Sequence, residues 1–471
     1  MRRAALTAVL AGTLALMPAA LAGAAESVVA TAGFQFLPPE VVVDSGGSLT
    51  YANVDAAGHN VVATETGPDG APLFSSGNPA GIGVYDVAGV EDLAPRESPY
   101  PFICTLHPQM KGNLRVLEQS VPAPGPPSGD SVPLPVATVP TPSSLTVHEG
   151  SLYVASYGTG TVFELAIGAA GTLGAPQPYS DAFSSPLGVE FAPDGTMFVA
   201  DSHPSTRPGR TTDGRVWAVA PDGSKSIVID ELPNGRHNTN GMAAHGDRLY
   251  IANGNSTDDG LGGGDPEEPL SGTLISVPLA ARDLTPASPE IVVEATGMRN
   301  LYDVAFRPGT DEAWIPTNGP DPFDPYGEDL LHKADVTGDA PDFGFPGCIY
   351  AAPPNEPLFK QNPNTVGVFD CDPNHVAPEQ LLGLHVSANG LEFGPDDAFW
   401  GGDLFIAEFG NFFGDRPVGH QVVRVPIEPD GSSGPPQTFL PGAAPLDLTF
   451  GPDGMYVGDF ATGQIQLVRG L

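Results

Sequence analysis

Basic residues are scarce in this chain: Lys and Arg number 19 against 56 Asp and Glu, for a formal net charge of −37. Such a surface repels polyphosphates and anionic bilayers, which argues against nucleic acid or acidic lipid as a partner. The acidic residues are scattered rather than blocked, as on a solvated surface, and a salty habitat would suit them. Long apolar runs are also missing beyond the first residues. There, Arg2-Arg3 precede an Ala-rich apolar run over 4–21 and the small residues Ala22-Gly23-Ala24-Ala25. This layout predicts a signal peptide over 1–25, a mature chain in the periplasm or medium from Glu26, and no transmembrane segment after cleavage. An uncleaved anchor is the alternative. Cysteine is nearly absent, with three in 471 residues. In an oxidising compartment an odd thiol needs some use other than a disulfide.

That use is visible in Cys104-Thr105-Leu106-His107-Pro108-Gln109-Met110, with His59 upstream in Gly58-His59-Asn60. One thiolate, two imidazoles and a weak thioether form the ligand set of a type 1 blue copper centre, which passes single electrons. Zinc would take Cys104, His59 and His107 but has little use for Met110. Strand-like segments flank the run, Tyr100-Pro101-Phe102-Ile103 before it and Gly112-Asn113-Leu114-Arg115-Val116 after it, and shorter ones precede His59. The pattern resembles the cupredoxins, and Cys-Thr-x-His-Pro-x-Met is close to their amicyanin-like and plastocyanin-like members. The resemblance covers residues 26–119. It implies a Greek-key β-sandwich holding one copper on His59, Cys104, His107 and Met110, with Asn60 bracing the ligand loop. Cys348 and Cys371 are then left over, and a disulfide between them is expected, worth roughly 3 kcal/mol through the loop it closes.

Residues 120–132, rich in Pro and poor in anything to bury, read as a semi-rigid linker able to span about 30 Å at about 3.1 Å per residue. From residue 133 to 471 an internal repeat appears. Pairs of short strands recur at 144–147 and 152–155, 188–191 and 197–200, 241–244 and 249–252, 303–306 and 313–316, 390–393 and 404–407, and 447–450 and 455–458. Turns such as Pro193-Asp194-Gly195 and Pro452-Asp453-Gly454 join them. Six hairpins at about 57 residues each predict an all-β chain whose larger part is a six-bladed β-propeller. The density of Gly and Pro, 59 and 53, excludes a helical solenoid, and a sandwich is the runner-up.

In a hairpin, the residues before the first strand and after the second lie on one side, so the blades gather such segments at one mouth of the channel. Arg236-His237-Asn238-Thr239-Asn240, Gly297-Met298-Arg299-Asn300, Asn318-Gly319-Pro320 followed by Gly327-Glu328-Asp329-Leu330, and Asp342-Phe343-Gly344-Phe345-Pro346 resemble, in this order, the soluble quinoprotein sugar dehydrogenases. Those propellers hold pyrroloquinoline quinone (PQQ) and calcium at the mouth. The resemblance implies that His237 is the general base, that Arg299 and Asn300 contact the quinone, and that carbonyls near Gly319 and Pro320 help hold calcium. The chain departs from that family where further cations are expected. Ile406-Ala407-Glu408-Phe409-Gly410 and Ala443-Ala444-Pro445-Leu446-Asp447 offer no Lys or Arg, so Arg236 or Arg416 would have to reach in. Arg299 has a structural alternative, as an ion pair with Asp303 or Asp321. The acidic run from Asp258 to Glu268 is a second place for calcium or simply a solvated loop, and His203 and His385 receive no role.

The leading expectation is an exported copper electron-transfer protein fused to a sugar- or alcohol-oxidising propeller, copper taking its electrons singly and passing them to a redox partner protein or terminal acceptor. Two alternatives stay open. One is a non-catalytic copper carrier whose propeller is a docking module, and the other is a calcium-dependent lactonase-like propeller, which requires Glu and Asn facing the channel.

Overall fold

The computed structural model describes residues 26–117, with breaks at 33–34, 38–39, 47, 54–56, 69, 82 and 97, and residues 133–469, with breaks at 259, 261–266, 321–327, 352–357, 362–370, 372–374, 396–400 and 412–417. The expected signal peptide, the linker and Arg416 lie outside the described residues. Among the described residues no helix is long and apolar enough to cross a membrane.

The first part is two four-stranded sheets. One runs Gln35–Leu37, Glu26–Ala32, Ser48–Asn53, Gly83–Asp86 and the other Glu40–Asp44, Lys111–Leu117, Tyr100–Ile103, Val62–Ala63. Alternation along Tyr100–Ile103 turns Tyr100 and Phe102 inward. Phe102 meets Phe36 edge-on at 4.8 Å and Phe74 at 6.1 Å, and these rings with Leu49, Tyr51 and Leu114 fill the core. Gly112 crosses directly over the Phe102 ring, where any Cβ would overlap it.

The second part is the expected propeller. Six sheets, each with a path of four antiparallel strands, follow one another, and the last is closed by the chain's own start, Leu134–Thr138, pairing with Gln464–Val468. That closing strand joins the two ends of the ring, as the outer strand of the sixth blade. Blade 4 carries an inserted hairpin, Cys348–Ala351 with Leu358–Gln361, and the expected disulfide joins Cys348 to Cys371 with Cα atoms 5.6 Å apart. Its inner strand is split into Asn300–Leu301 and Ala305–Phe306, shorter than expected. Between the two pieces, Asp303 turns its carboxylate onto the Val304 N–H.

Hydrogen bonds between neighbouring inner strands run around the whole axis. The Val189 N–H donates to Ser144 Oγ (3.1 Å), Ala244 N–H to Glu190 (3.3 Å), Gly241 N–H to the Tyr302 carbonyl (2.7 Å), Leu391 N–H to Asp303 (3.2 Å), Phe450 N–H to Glu392 (3.1 Å) and Leu145 N–H to Asp447 (2.7 Å). Four of these six links end on a carboxylate.

Candidate copper centre and propeller cavity

His59 is fixed by a backbone bridge, its N–H donating to the Ala80 carbonyl at 3.0 Å and its carbonyl accepting from Ala80 at 2.9 Å. Cys104 follows the strand Tyr100–Ile103. The ligand loop then folds on itself: His107 N–H donates to the Cys104 carbonyl (3.2 Å), Met110 N–H to the His107 carbonyl (2.8 Å), and Cys104 N–H to the Met110 carbonyl (3.4 Å). Asn60 ties the loop to the rest, as its Oδ1 accepts from the Thr105 N–H (2.8 Å) and hydroxyl (3.1 Å) while its Nδ2 donates to the Gly77 carbonyl (2.8 Å).

The result is a triangle of donors. His59 Nδ1 and His107 Nδ1 stand 3.0 Å apart and each is 3.6 Å from Cys104 Sγ. A point equidistant from the three atoms lies about 2.0 Å from each, the length of a metal–imidazole bond and slightly short of a metal–thiolate bond. A copper ion therefore fits with small outward shifts. His59, Cys104 and Met110 are buried and His107 is partly exposed, next to Leu106, which is 60% exposed. Among the described residues this is the one group of three His, Cys, Asp or Glu side chains close enough to hold a metal ion.

At the propeller mouth lies a cavity of about 590 Å³. His237, Arg299, Asn300 and Gly319 all line it, whereas Pro320 opens onto a separate cleft of about 30 Å³. His237 Nδ1 bonds the side-chain oxygen of Asn255 at 2.7 Å and its carbonyl at 3.1 Å, so the ring carries its proton there and Nε2 keeps its lone pair. Burial, then the positive charge of Arg299, hold this imidazole well below the usual histidine range. It is a neutral base at neutral pH.

Asp321, one of the two carboxylates expected beside Arg299, lies outside the described residues. Among the described residues the carboxylate partner of Arg299 is Asp258, joined by an ion pair, and not Asp303. Arg299 Nη1 also donates to the Gly319 carbonyl at 2.7 Å. Carbonyls near Gly319 and Pro320 were the expected calcium ligands, and at the first of them a cation would sit beside the Arg299 guanidinium. Two more acidic residues of the Asp258 loop are spoken for as well, while Asp259 and Asp265 lie outside the described residues. Glu267 accepts from Asn255, Ser256, Thr257 and Ser271, and Glu268 pairs with Arg207 and Arg210.

Asn300 belongs to a chain of amides: Asn240 donates to it (3.1 Å), it donates to Asn318 (2.8 Å), and Asn318 donates to the Ala388 carbonyl (2.7 Å). Several mouth segments turn away from the cavity. His203 Nε2 meets Asp230 at 3.0 Å, and Glu408 is buried behind the wall with its carboxyl pushed up to about 8 by burial. On the side of blades 1, 5 and 6, the wall is aromatic instead of cationic, with Tyr157 6.2 Å from Phe460 and Phe460 6.0 Å from Phe409. Tyr302, which ends the mouth segment Met298-Arg299-Asn300-Leu301-Tyr302, is also on the lining.

Residues 24–117 match the family profile of copper binding proteins, plastocyanin/azurin family. No curated protein matches the chain. The propeller has the fold of several solved enzymes at low identity. A Trichoderma reesei carbohydrate-active enzyme of family AA12 is 17% identical over 75% of this chain and 100% of its own, with a TM-score of 0.59. The holo PQQ domain of a Coprinopsis cinerea pyranose dehydrogenase is 16% identical over 74% and 99%, TM-score 0.58. The PQQ-bound aldose sugar dehydrogenase of Streptomyces coelicolor is 17% identical over 71% and 95%, TM-score 0.51.

Proposed function

We propose that the chain is an exported redox protein in which the propeller oxidises a sugar or related alcohol and the copper domain carries the electrons away one at a time. The observation that carries the reading is His237: a buried, neutral imidazole with one nitrogen pinned by Asn255 and the other free to accept a proton, on a cavity that also presents Arg299. A base so arranged takes the proton of a substrate hydroxyl as hydride leaves the adjacent carbon. Copper accepts single electrons, so a two-electron acceptor must stand between, and PQQ, when bound, supplies hydride acceptance. The lining suits a planar anionic quinone on one side, with the guanidinia of Arg236 and Arg299 and the amides of Asn238 and Asn300 for its oxygens, and the rings of Tyr157, Phe409 and Phe460 opposite.

Calcium, expected at carbonyls near Gly319 and Pro320, would compete with Arg299 for the first of them. The lactonase alternative would draw on the lining amides Asn238, Asn300, Asn318 and Asn389, but among the described residues the lining presents no free carboxylate for a metal. Asp329 is the carboxylate on the lining, and both its oxygens accept backbone N–H groups, from Gly319 at 3.0 Å and Ala388 at 2.9 Å. The docking alternative draws on the aromatic wall and predicts copper reduction by an outside protein only.

The test is anaerobic. Copper-loaded protein incubated with PQQ should lose its blue absorption on addition of an aldose, and the Cys104→Ser protein should show no such band. A band that persists with every aldose tried, while an external donor bleaches it, would favour the docking reading.

A further inference from the structure

The inner strands carry a second pattern, along the propeller axis. Successive same-face residues in the six blades read Ser144 and Thr146, Gly188 and Glu190, Gly241 and Ala243, Asp303 and Ala305, Gly390 and Glu392, Asp447 and Thr449. Where the first of a pair is Asp the second is small, and where the second is Glu the first is Gly. The glycines make the room: a Cβ on Gly241 would overlap the Asp303 carboxylate, and one on Gly390 that of Asp447. Two layers of acids result, Asp303 with Asp447 and, two residues or about 7 Å further from the mouth, Glu190 with Glu392.

Tyr302 connects these layers to the cavity. It lines the cavity, is 9% exposed, and its hydroxyl is sealed from solvent with no hydrogen-bond partner among the described residues. The groups that face it are Asp447, Asp303 and Tyr157, the last on the cavity wall. A buried hydroxyl near carboxylates that it does not reach is a place for bridging water.

We propose that this column, Tyr302 to Asp303 and Asp447 to Glu190 and Glu392, is the route by which protons leave the cavity. The proposal rests on the dehydrogenation reading. Oxidising a CH–OH group to C=O releases two electrons and two protons: the hydroxyl proton goes to His237 Nε2, the hydride to the two-electron acceptor, and the electrons then reduce two Cu(II) equivalents in turn, which an external acceptor reoxidises. Copper takes no protons, so both must leave by another path. A ligand filling the cavity covers His237 from the mouth, and the floor remains.

The acids suit the task. Burial holds Glu190 up to about 8 and Glu392 up to about 7, and it lifts Asp303 and Asp447 in the same direction. The charges that face them are one another: Glu392 and Asp447 face Glu190, Asp447 faces Glu392, and Asp447 and Glu190 face Asp303. Groups that titrate near neutrality pass protons with the least loss in either direction.

Full-length copper-loaded protein with PQQ and an aldose is followed by repeated copper reduction in weak buffer at pH 7. Asp447→Asn and Glu190→Gln should each slow repeated turnover at least about tenfold, and added imidazole, a small proton carrier, should restore it. Substrate-free wild-type protein should show infrared bands of protonated carboxyls at pH 6 that disappear by pH 9, and each variant should lack part of them. Turnover at the wild-type rate in both variants, slow turnover that imidazole does not restore, or the absence of those bands overturns the conduit while leaving the dehydrogenase reading in place. Wild-type protein that never reduces copper from an aldose sinks the reading itself and the conduit with it.

Discussion

Raising the pH from 6.5 to 8.5 should weaken the propeller. Glu190, Glu392 and Glu408 stand at about 8, 7 and 8, above the 4.5 of an exposed glutamate, because folding buries them. A carboxyl raised on folding contributes stability that is full below its unfolded value and is lost as pH rises through its folded value. Between 6.5 and 8.5 the folded chain therefore sheds protons that the unfolded chain has already lost. Over that window the loss comes to about 2 kcal/mol each for Glu190 and Glu408 and about 1 kcal/mol for Glu392. The buried histidines oppose this only in part. His237 lies below its usual range, and His332 and His420 lie near 3 and 4, so their effect has the opposite slope and amounts to about 0.4 kcal/mol each between pH 6.5 and 8.5, as the unfolded imidazoles lose their remaining protons. Glu190→Gln should remove its share, since the amide oxygen can still accept the Ala244 N–H and no charge develops. Urea unfolding at pH 6.5, 7.5 and 8.5 measures this by tryptophan fluorescence, as Trp217, Trp314 and Trp400 all belong to the larger part of the chain. A wild-type stability that is flat or rises across the window, or a variant that tracks the wild type, would refute the argument.

Asn60→Ala strands the Thr105 N–H, the Thr105 hydroxyl and the Gly77 carbonyl, so the copper domain should lose about 2–4 kcal/mol in denaturant titration and release copper faster to a chelator. His237→Gln should lower substrate-driven copper reduction by about 10²-fold or more while leaving quinone affinity within about twofold, read by stopped-flow absorbance and by titration. Arg299→Met leaves Asp258 without its guanidinium and the Gly319 carbonyl without its donor, for a cost of about 3 kcal/mol by urea unfolding. The same variant should gain calcium affinity by calorimetry, because the cation that fills the carbonyl's place is gone.

Much of this was legible because it is local. The copper ligands sit in one loop plus His59, with chemistry that few residue types share, and the hairpins announce themselves by alternation and turn residues. What stayed hidden depends on contacts distant in sequence. The closing strand Leu134–Thr138 has little pattern of its own and is defined by its pairing with Gln464–Val468. Among the described residues Arg299 pairs with Asp258, 41 residues away, across a loop whose path no motif fixes. Gly319 lines both the large cavity and the small cleft beside it, and Pro320 lines the cleft, a division that sequence adjacency does not reveal. The Asp/Gly complement along the axis was present in the repeat units all along, but it acquires meaning only once the strands are arranged around a common line.

The scarcity of basic residues then explains how that line is neutralised. Among the described residues, Arg96 is held by Glu65, Arg207 by Asp213 and Glu268, Arg215 by Asp230, Arg299 by Asp258 and Arg424 by Asp403. These guanidinia are spent on loops and strand edges, where each pair also fixes local geometry. None of the charges that act on Glu190, Asp303 or Glu392 as their main influences is positive. A buried carboxylate without a cation is held by hydrogen bonds or takes a proton, and here each acid accepts a backbone N–H while burial shifts each towards its protonated form. Substituting a lysine for Gly241 or Gly390 would pair the acids electrostatically but has no room, since those glycines are where the aspartates pack. The steric fit that builds the axis therefore also keeps cations out of it, and protons are the counterions that remain.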